Sequence, residues 1–508
     1  MDRGAFGGGI RPAMSGKFLL TIDEGTTSTR TVIYDHDIRT IASAQQEFKQ
    51  HYPHPGWVEH DPEEIWAAIS SVTAEAVRTA GVNAADITGI GITNQRETVV
   101  IWDRQSGECI YNAIVWQDRR TADACDALQA AGLEAKIRKR SGLCIDPYFS
   151  ASKVAWILDN VPGARGRAEQ GELAFGTIDS FVLWRLTRGK VHATDATNAS
   201  RTMLFNIHTQ AWDEELLEIF NVPAALLPEV HDCAHEFGVA DFAALGGSAP
   251  VLGIAGDQQA ALIGQAGFDR GTVKSTYGTG CFVLANTSAE ALVSRNQLLT
   301  TVASRLDGQV SYGLEGSVFV AGSAIQWLRD EMGLVQSAAE SEAIARNNGV
   351  VEDVYVVPAF TGLGAPYWDP HARGAIFGLT RGSTREQIVT ATLQAIAYQS
   401  HDLISAMIDD GVTPSVVRVD GGMVANDWFL QFLADVLAIP VERPTNIEAT
   451  ALGATYLAGL CAGVFESTAA IAQRWRSDTV FEPVMGEGRR QALLEGWATA
   501  VGRVSGHA

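Results

Sequence analysis

Residues 18–35 read FLLTIDEGTTSTRTVIYD, and the interpretation of the whole chain starts from this stretch. Residues 18–22 and 31–34 are rich in strand-forming side chains, so the stretch predicts a hairpin with a turn rich in hydroxyl groups. Such a turn presents backbone N–H groups and hydroxyls to one point, and Gly25 allows close approach to the backbone. A phosphate group fits these donors. Asp23, at the end of the first strand, is placed to hold a hydrated Mg²⁺.

The same pattern recurs further along the chain. Residues 274–285, KSTYGTGCFVLA, again place a glycine turn between two strands, and RVDGGM at 418–423 lies between a strand and an amphipathic helix. Three such turns predict two related halves facing one nucleotide. The alternative is three unrelated turns, because the chain contains 50 glycines. Strands alternate with helices throughout, which indicates an α/β architecture.

The composition excludes several classes of protein. A chain of 508 residues is too long for one core. Its net charge of -21 argues against nucleic acid or anionic membranes as partners. No apolar run approaches the ~18 residues of a membrane-spanning helix. The six cysteines are scattered, which is typical of buried thiols in a reducing compartment, so we expect a cytoplasmic protein.

The domain limits follow from the same patterns. Residues 1–16 lack the apolar core of a signal peptide, and we interpret them as a disordered leader. The most plausible junction lies within residues 264–271, just before the second phosphate turn. We therefore expect an N-terminal domain over residues 17–267 and a C-terminal domain over residues 268–508.

Two polar sites follow predicted strands. The strand at 87–93 runs into NQRET, where Arg96 and Glu97 form either a surface ion pair or part of a ligand crevice. Their apolar flanks favour burial, which costs several kcal/mol per ion unless function retains the pair. Asp257 opens a helix after another strand, and it is either a helix N-cap or a base aimed into the cleft. Spacing alone does not decide between these two roles.

At this point the chain resembles the FGGY carbohydrate kinase family, and within it the members that act on glycerol. The resemblance extends in order from about Phe18 to about Val464. It implies two actin-like, ribonuclease-H-like domains closing over a cleft, which agrees with the paired turns. It rests on the following motifs: DEGTTSTR, GITNQRET, IVWQDRR, GLCIDPYFSASK, TNASRTMLFNIHT, GIAGDQQAAL, YGTGCF, AGSAIQWLRDEM, PAFTGLGAPYWDP, RGAIFGLTRG and RVDGGM.

The resemblance implies a reaction and a site. The reaction is transfer of the γ-phosphate of ATP to glycerol, giving sn-glycerol 3-phosphate, with Asp257 as the general base and Asp23 acting on Mg²⁺. The groups implied to bind glycerol are Arg96, Glu97, Tyr148, Asp257 and Gln258, with Trp116 and Phe282 as apolar walls. The groups implied to bind the nucleotide are Thr26, Thr27, Ser28, Arg30, Thr279, Gly322, Gln326, Met423 and Asp427.

Two positions depart from the family pattern. Glu24 replaces the usual Gln, and a carboxylate there would either repel phosphate or help to hold Mg²⁺. Asp427 replaces the usual Asn, which removes an amide donor near the nucleotide. Two other functions stay open: a kinase for another polyol or ketose, and an actin-like ATPase that senses nucleotide. We expect a homodimer or homotetramer with glycerol and ATP as its small-molecule substrates.

Overall fold

The structure is a computed structural model that describes residues 16–369 and 371–505. The predicted leader, apart from Gly16, lies outside the described residues. In the N-terminal half, the strands are β1 Phe18–Glu24, β2 Ser28–Asp35, β3 Thr40–Glu47, β4 Glu59–His60, β5 Ile87–Asn94, β6 Val100–Asp103, β7 Ala113–Ile114, β8 Leu173–Gly176, β9 Ala193–Asp195, β10 Phe205–Asn206, β11 Ala211–Trp212, β12 Glu229–His231, β13 Ala234–Phe242 and β14 Gly247–Gly256. Its helices are α1 Pro62–Ala80, α2 Ala122–Ala130, α3 Glu134–Ser141, α4 Ser150–Asn160, α5 Ala164–Glu169, α6 Ile178–Leu186, α7 Ala196–Ala199, α8 Glu214–Phe220 and α9 Asp257–Gly264.

The C-terminal half begins at the strand that precedes the second phosphate turn. Its strands are β15 Thr272–Tyr277, β16 Cys281–Ser288, β17 Leu299–Leu306, β18 Gln309–Val318, β19 Tyr355–Val357, β20 Ala375–Phe377, β21 Val416–Asp420, β22 Val441–Pro444 and β23 Ser477–Phe481. Its helices are α10 Gly322–Asp330, α11 Ala338–Asn348, α12 Arg385–Asp409, α13 Asp427–Leu437, α14 Ala449–Ala462, α15 Thr468–Ala472 and α16 Glu487–Val504. No helix within the two described ranges is long and apolar enough to cross a membrane.

Each half is built on one large twisted sheet, and the two sheets share a plan. The N-terminal sheet has the order β13-β14-β5-β1-β2-β3, and the C-terminal sheet has the order β17-β18-β16-β15-β21-β22-β23. In the first, β1 pairs antiparallel with β2 and parallel with β5, which is parallel to β14. In the second, β15 pairs antiparallel with β16 and parallel with β21, which is parallel to β22. The prediction of two related halves is confirmed by this repeat.

The sequence patterns place most elements near these sheets correctly. Asp61 caps α1 through a bond from the backbone N–H of Glu63, as the Asp-Pro sequence predicts, and Gly81 ends the helix in the left-handed conformation. The Trp116 segment makes only the short strand β7, because its backbone turns away two residues later.

Helix α14 follows a strand of the C-terminal sheet, but it packs beneath the N-terminal sheet. A Cβ atom on Gly91 of β5 would lie 2.3 Å from the carbonyl oxygen of Ala454. The hydroxyls of Thr21 in β1 and Thr455 in α14 lie 2.6 Å apart. The chain therefore crosses between its halves a second time after the junction before β15. The domain limits 17–267 and 268–508 stay a prediction.

The crossing of α9 and α14 depends on small residues. A Cβ atom added to Gly453 would lie 1.7 Å from the carbonyl oxygen of Ala260, and one added to Gly264 would lie 1.9 Å from that of Ala449. Real Cβ atoms do not approach backbone oxygens so closely, so these two glycines set the spacing of the helices. The contact joins the helix that follows β14 to the helix that follows β22.

We predict that Gly453→Ala lowers the free energy of unfolding by about 1 to 3 kcal/mol or more, because the added methyl group overpacks the crossing. Gly502→Ala is a matched control, because Gly502 lies in α16 with no atom near its would-be Cβ. That control should raise stability by roughly 0.5 to 1 kcal/mol, since alanine is the better helix former. Urea unfolding measures both. Equal effects in the two variants would contradict a close helix crossing.

Candidate active site

The parallel strands of the N-terminal sheet end at one edge, and the expected ligand-binding residues lie there. The last residues of β1 and β14 are both aligned with Asn94 at the end of β5. The ends of three adjacent strands therefore lie at the same edge, and with them lie Asp23, Arg96 and Asp257. In open α/β sheets, ligands bind in the crevice outside these carboxyl ends.

Arg96 lies at this edge among acceptor groups, with its side chain only 2% exposed. Its Nη1 and Nη2 donate to the carboxylate of Glu315 at 2.5 and 3.1 Å. Its Nε lies 3.1 Å from Oδ1 of Asp257, and Nη1 also donates to Oε1 of Gln259 at 3.2 Å. Glu97 lies 3.8 Å away and is equally buried, so the interpretation as a surface ion pair is wrong.

Glu97 is held by its backbone and by a second arginine. Its φ of 63° lies in the left-handed region, which is strained for residues other than glycine and is frequent at functional sites. Its Oε1 accepts a hydrogen bond from Nε of Arg201 at 2.6 Å, and its carbonyl accepts one from Ser150 at 2.9 Å. Burial raises the pKa of Glu97, although Arg96 and Arg201 oppose this shift. The carboxylate is thus fixed in one place and one orientation.

Three aromatic rings form an apolar wall beside these charges. The rings of Trp116 and Tyr148 have centroids 5.5 Å apart, and Trp116 lies 6.2 Å from Phe282 of the C-terminal sheet. Nε1 of Trp116 donates to the hydroxyl of Thr26 in the first phosphate turn at 2.9 Å. The residues implied to face glycerol and those implied to face phosphate are therefore in direct contact.

Asp257 is the first residue of α9, and Gly256 takes the N-cap position, so the interpretation of Asp257 as an N-cap is wrong. Its Oδ1 accepts the N–H of Gln258 at 2.7 Å, and its side chain is 32% exposed beside buried Arg96. The buried Nζ of Lys274 donates to Oε1 of Gln258. Asp257 thus presents an accessible carboxylate next to a fixed cation.

The first phosphate turn closes as the hairpin pattern predicts. The N–H of Gly25 donates to the carbonyl of Ser28 at 3.0 Å, which makes the turn tight. Thr27 at its tip is exposed, and Ser28 is partly exposed. The hydroxyls of Thr27 and Ser28 are therefore accessible at the turn.

Arg30 and Asp23 form an ion pair at the base of this turn. Nη2 of Arg30 lies 3.2 Å from Oδ2 of Asp23 and also pairs with Glu448 from the start of α14. The structure thus places Arg30 beside the turn, but its guanidinium is occupied by carboxylates. Burial raises the pKa of Asp23, Arg30 lowers it, and Asp257 raises it again, so the two aspartates repel each other.

This arrangement fits a divalent cation. A cation near Asp23 would offset the repulsion from Asp257, and Mg²⁺ is held by one or two carboxylates together with waters and phosphate oxygens. Among residues 16–369 and 371–505, no cluster of three or more His, Cys, Asp or Glu side chains forms a metal site.

The second phosphate turn is joined to the start of α10, and the third turn lies beside them. The carbonyl of Thr279 accepts the N–H of Ser323 at 3.1 Å, and the carbonyl of Gly278 accepts the N–H of Gly322 at 2.9 Å. A Cβ atom on Gly322 would lie 3.5 Å from Sδ of Met423. The structure thus brings Thr279, Gly322 and Met423 together, as the resemblance implies.

The remaining residues implied to bind the nucleotide lie on two helices beyond these turns. Gln326 is exposed on α10. Asp427, the first residue of α13, accepts a hydrogen bond from Nη1 of Arg443 at 2.7 Å. The negative charge of Asp427 is therefore balanced by Arg443. The amide donor that the usual Asn would offer at this position is absent.

The side chain of Glu24 lies on a buried face of the N-terminal sheet. It is fully buried, its Oε2 accepts a hydrogen bond from the hydroxyl of Thr29, and its Oε1 has no partner among the described residues. Successive strand residues point to opposite faces, so Glu24 does not share the face of Asp23. Burial raises the pKa of Glu24 well above its ordinary value, Thr29 opposes this shift, and Asp23 adds to it. Neither phosphate repulsion nor Mg²⁺ binding describes this side chain.

Sequence reasoning missed three charged residues of the site: Arg201, Glu315 and Lys274. All three are fully or almost fully buried. The signal for Glu315 was a lone carboxylate in an otherwise buried strand, and Lys274 is a similar lone cation in β15. Buried charges are rarely retained without a partner, so each pointed to an unseen opposite charge.

We predict that Glu24→Gln stabilises the protein at pH 8 by about 1 to 3 kcal/mol, because an amide of the same shape carries no charge that must be buried. The folded pKa of Glu24 is raised above the ordinary value of 4.5, so its ionisation opposes folding as the pH rises above that value. The gain should therefore shrink towards pH 4.5. Urea unfolding in EDTA measures it, with exposed Glu47→Gln as the control. A gain independent of pH would contradict this account.

Comparison with known proteins agrees with the geometry. The N-terminal domain of the FGGY family of carbohydrate kinases matches residues 18–264, and its C-terminal domain matches residues 273–462. Glycerol kinase 1 of Pseudomonas aeruginosa is 60% identical over 97% of this chain and 99% of its own length. The glycerol kinase of Ectopseudomonas mendocina is 60% identical over 96% and 99%.

Solved structures agree with these matches. The crystal structure of Plasmodium falciparum glycerol kinase with ADP superposes with a TM-score of 0.91 and 37% identity, covering 96% of this chain and 98% of the other. Gluconate kinase from Lactobacillus acidophilus, at 21% identity and a TM-score of 0.85 over 96% and 98%, shares the fold. The predicted fold class of two actin-like α/β domains is confirmed. This chain belongs to the FGGY family of carbohydrate kinases.

Proposed function

We propose that this protein phosphorylates glycerol with ATP to give sn-glycerol 3-phosphate and ADP. The observation that carries the proposal is the hydrogen bond from Trp116 to Thr26, which joins the aromatic wall beside buried Arg96 and Glu97 to the first phosphate turn. The full-length similarity to proteins named glycerol kinase supports the choice of polyol.

The proposed glycerol site pairs each hydroxyl with a fixed group. Arg96 donates hydrogen bonds and Glu97 accepts them, while Tyr148 and Gln258 complete the polar lining. Trp116 and Phe282 cover the carbon skeleton. A substrate that lacks one hydroxyl leaves one of these buried groups unpaired, which costs about 1 to 3 kcal/mol of binding free energy. This cost is the basis of specificity.

In the proposed reaction, Asp257 accepts the proton of the terminal hydroxyl as its oxygen attacks the γ-phosphorus. The new O–P bond forms in line with the breaking bond to the β-phosphate oxygen, and ADP leaves. Phosphoryl transfer is catalysed chiefly by positioning and by charge stabilisation. A general base adds about 10² to 10⁴ in rate. The accessible carboxylate of Asp257 beside Arg96 suits this role.

The proposed nucleotide site spans both halves. The phosphates would meet the first two glycine turns, and the rest of the nucleotide would meet α10 and the third turn. When bound, Mg²⁺ would neutralise phosphate charge, and Asp23 would hold it. The residues assigned to the nucleotide are Thr26, Thr27, Ser28, Arg30, Thr279, Gly322, Gln326, Met423 and Asp427.

Two other functions are separated by one assay. Coupled ADP release is measured with glycerol, with xylulose or gluconate, and with no acceptor. Release that depends on glycerol supports the proposal. Equal or greater release with a sugar would favour another FGGY kinase, and release without any acceptor would favour a nucleotide-sensing ATPase.

Assembly and location are also proposals. We expect a homodimer or homotetramer, which analytical ultracentrifugation would distinguish. A cytoplasmic location is supported by the requirement for ATP and by the six cysteines, which are all free in the structure.

We predict that Asp257→Asn lowers turnover by about 10² to 10⁴, since the amide cannot accept the proton. The affinity for ATP should barely change. Asp213→Asn is the matched control, because Asp213 is a true N-cap at α8 and asparagine also caps helices. Steady-state kinetics and ATP binding by calorimetry give the two readouts. Full turnover in Asp257→Asn would eliminate its proposed role.

We predict that Asp23→Asn raises the Mg²⁺ concentration for half-maximal rate by about 10-fold or more, because it removes the carboxylate assigned to the metal. The control is Asp35→Asn at the far end of the same hairpin, where Asp35 accepts backbone N–H groups. Rates are measured across a Mg²⁺ titration at saturating ATP. An unchanged Mg²⁺ requirement would show that the metal is held elsewhere.

A further inference from the structure

Arg201 and Glu315 are not assigned to bind glycerol or ATP. They nevertheless contact Arg96 and Glu97, two residues that are proposed to bind glycerol. We define the buried charge cluster as Arg96, Glu97, Arg201 and Glu315. All four side chains are at most 2% exposed. Two positive and two negative charges balance within it, so its members are paired with each other rather than with water.

Glu315 bridges the two arginines. Its carboxylate accepts both terminal nitrogens of Arg96, and its Oε1 also accepts Nη2 of Arg201 at 2.8 Å. Burial alone would raise the pKa of Glu315, but Arg201 and Arg96 hold it at about 2. This fork-to-fork geometry fixes the plane and the rotation of the Arg96 guanidinium, which a single contact would leave free.

Arg201 holds Glu97 through one hydrogen bond and is itself held by ring contacts. Its Nε donates to Oε1 of Glu97, while its guanidinium lies over the rings of Tyr148 and Phe149 at 5.7 and 5.3 Å. Its Nη1 has no hydrogen-bond partner among the described residues, so the ring faces provide its surroundings. The position of the Glu97 carboxylate thus depends on where Arg201 lies.

The cluster also crosses between the halves of the molecule. Glu315 lies in β18, between β16 and β17 of the C-terminal sheet, whereas the other three residues belong to the N-terminal half. Gln259 adds a second crossing, because it accepts from Arg96 and donates to the carbonyl of Val302 in β17 at 3.2 Å. The orientation of the substrate groups is therefore completed by the other half.

We propose that Glu315 and Arg201 are positioning residues that set the specificity for glycerol hydroxyls, Glu315 through Arg96 and Arg201 through Glu97. The inference rests on the proposed function. Neither residue is assigned to touch the substrate. Their effect is to hold a donor and an acceptor at the spacing that a triol requires.

The test compares glycerol with 1,2-propanediol and 1,3-propanediol, each of which lacks one hydroxyl. A site built to pair every hydroxyl rejects both diols strongly. In Glu315→Gln and Arg201→Lys, we expect the preference for glycerol, as a ratio of kcat/KM values, to fall by about 10-fold or more. KM for ATP should stay within about twofold of wild type, because the cluster does not belong to the nucleotide site.

The control is Asp402→Ala, which removes a partly buried acceptor from Tyr367 and Trp497 in the C-terminal half. It should lower stability without changing the preference. A preference retained in both cluster variants would overturn the inference, and so would the failure of both to fold. If only one variant folds, it gives the result alone. Wild-type enzyme inactive towards glycerol would instead reject the proposed function.

Discussion

The site depends on a carboxylate from one half of the molecule that is buried against two arginines from the other half. Transferring such charges out of water costs several kcal/mol per ion, and only close pairing with full hydrogen bonding offsets this cost. Glu315 is paired with Arg96 and Arg201 at distances of 2.5 to 3.1 Å, and the rings of Tyr148 and Phe149 lie against the guanidinium of Arg201. A purely apolar contact would join the halves with less electrostatic cost, which supports the positioning role proposed for these charges.

The repeated sheet plan explains why these groups meet. In each half, a hairpin strand and two parallel strands end at one edge, so three loops from each sheet point towards the other half. In the proposed function, the strand ends of the N-terminal sheet supply the polyol site, and glycine turns from both sheets supply the phosphate site. Trp116 of the N-terminal half and Phe282 of the C-terminal half lie next to each other between them.

Sequence patterns identified what is local. The hairpins around Gly25 and Gly278 follow from alternation and turn residues, because each pairs two strands that are consecutive in the sequence. The cap of α1 at Asp61 is predictable because its contact is local as well. The spacing of Asp257 suits two roles, and only the backbone geometry shows that Gly256 is the cap.

Contacts between distant segments were not accessible in this way. Arg96 and Glu315 are separated by 219 positions, and Arg201 and Glu315 by 114. No periodicity or spacing connects residues so far apart. The burial of Arg96 and Glu97 was anticipated from their apolar flanks, but their partners were not. Likewise, Glu24 was considered only as a phosphate or metal neighbour, because the strand face it occupies depends on where the hairpin ends.

The most direct measurement of the central claim follows the γ-phosphate itself. Phosphorus NMR of the purified protein with ATP, Mg²⁺ and glycerol should show a glycerol 3-phosphate resonance that grows in step with ADP. That result would mean that the phosphate passes directly to the polyol held between the halves. Growth of inorganic phosphate in its place would contradict the account.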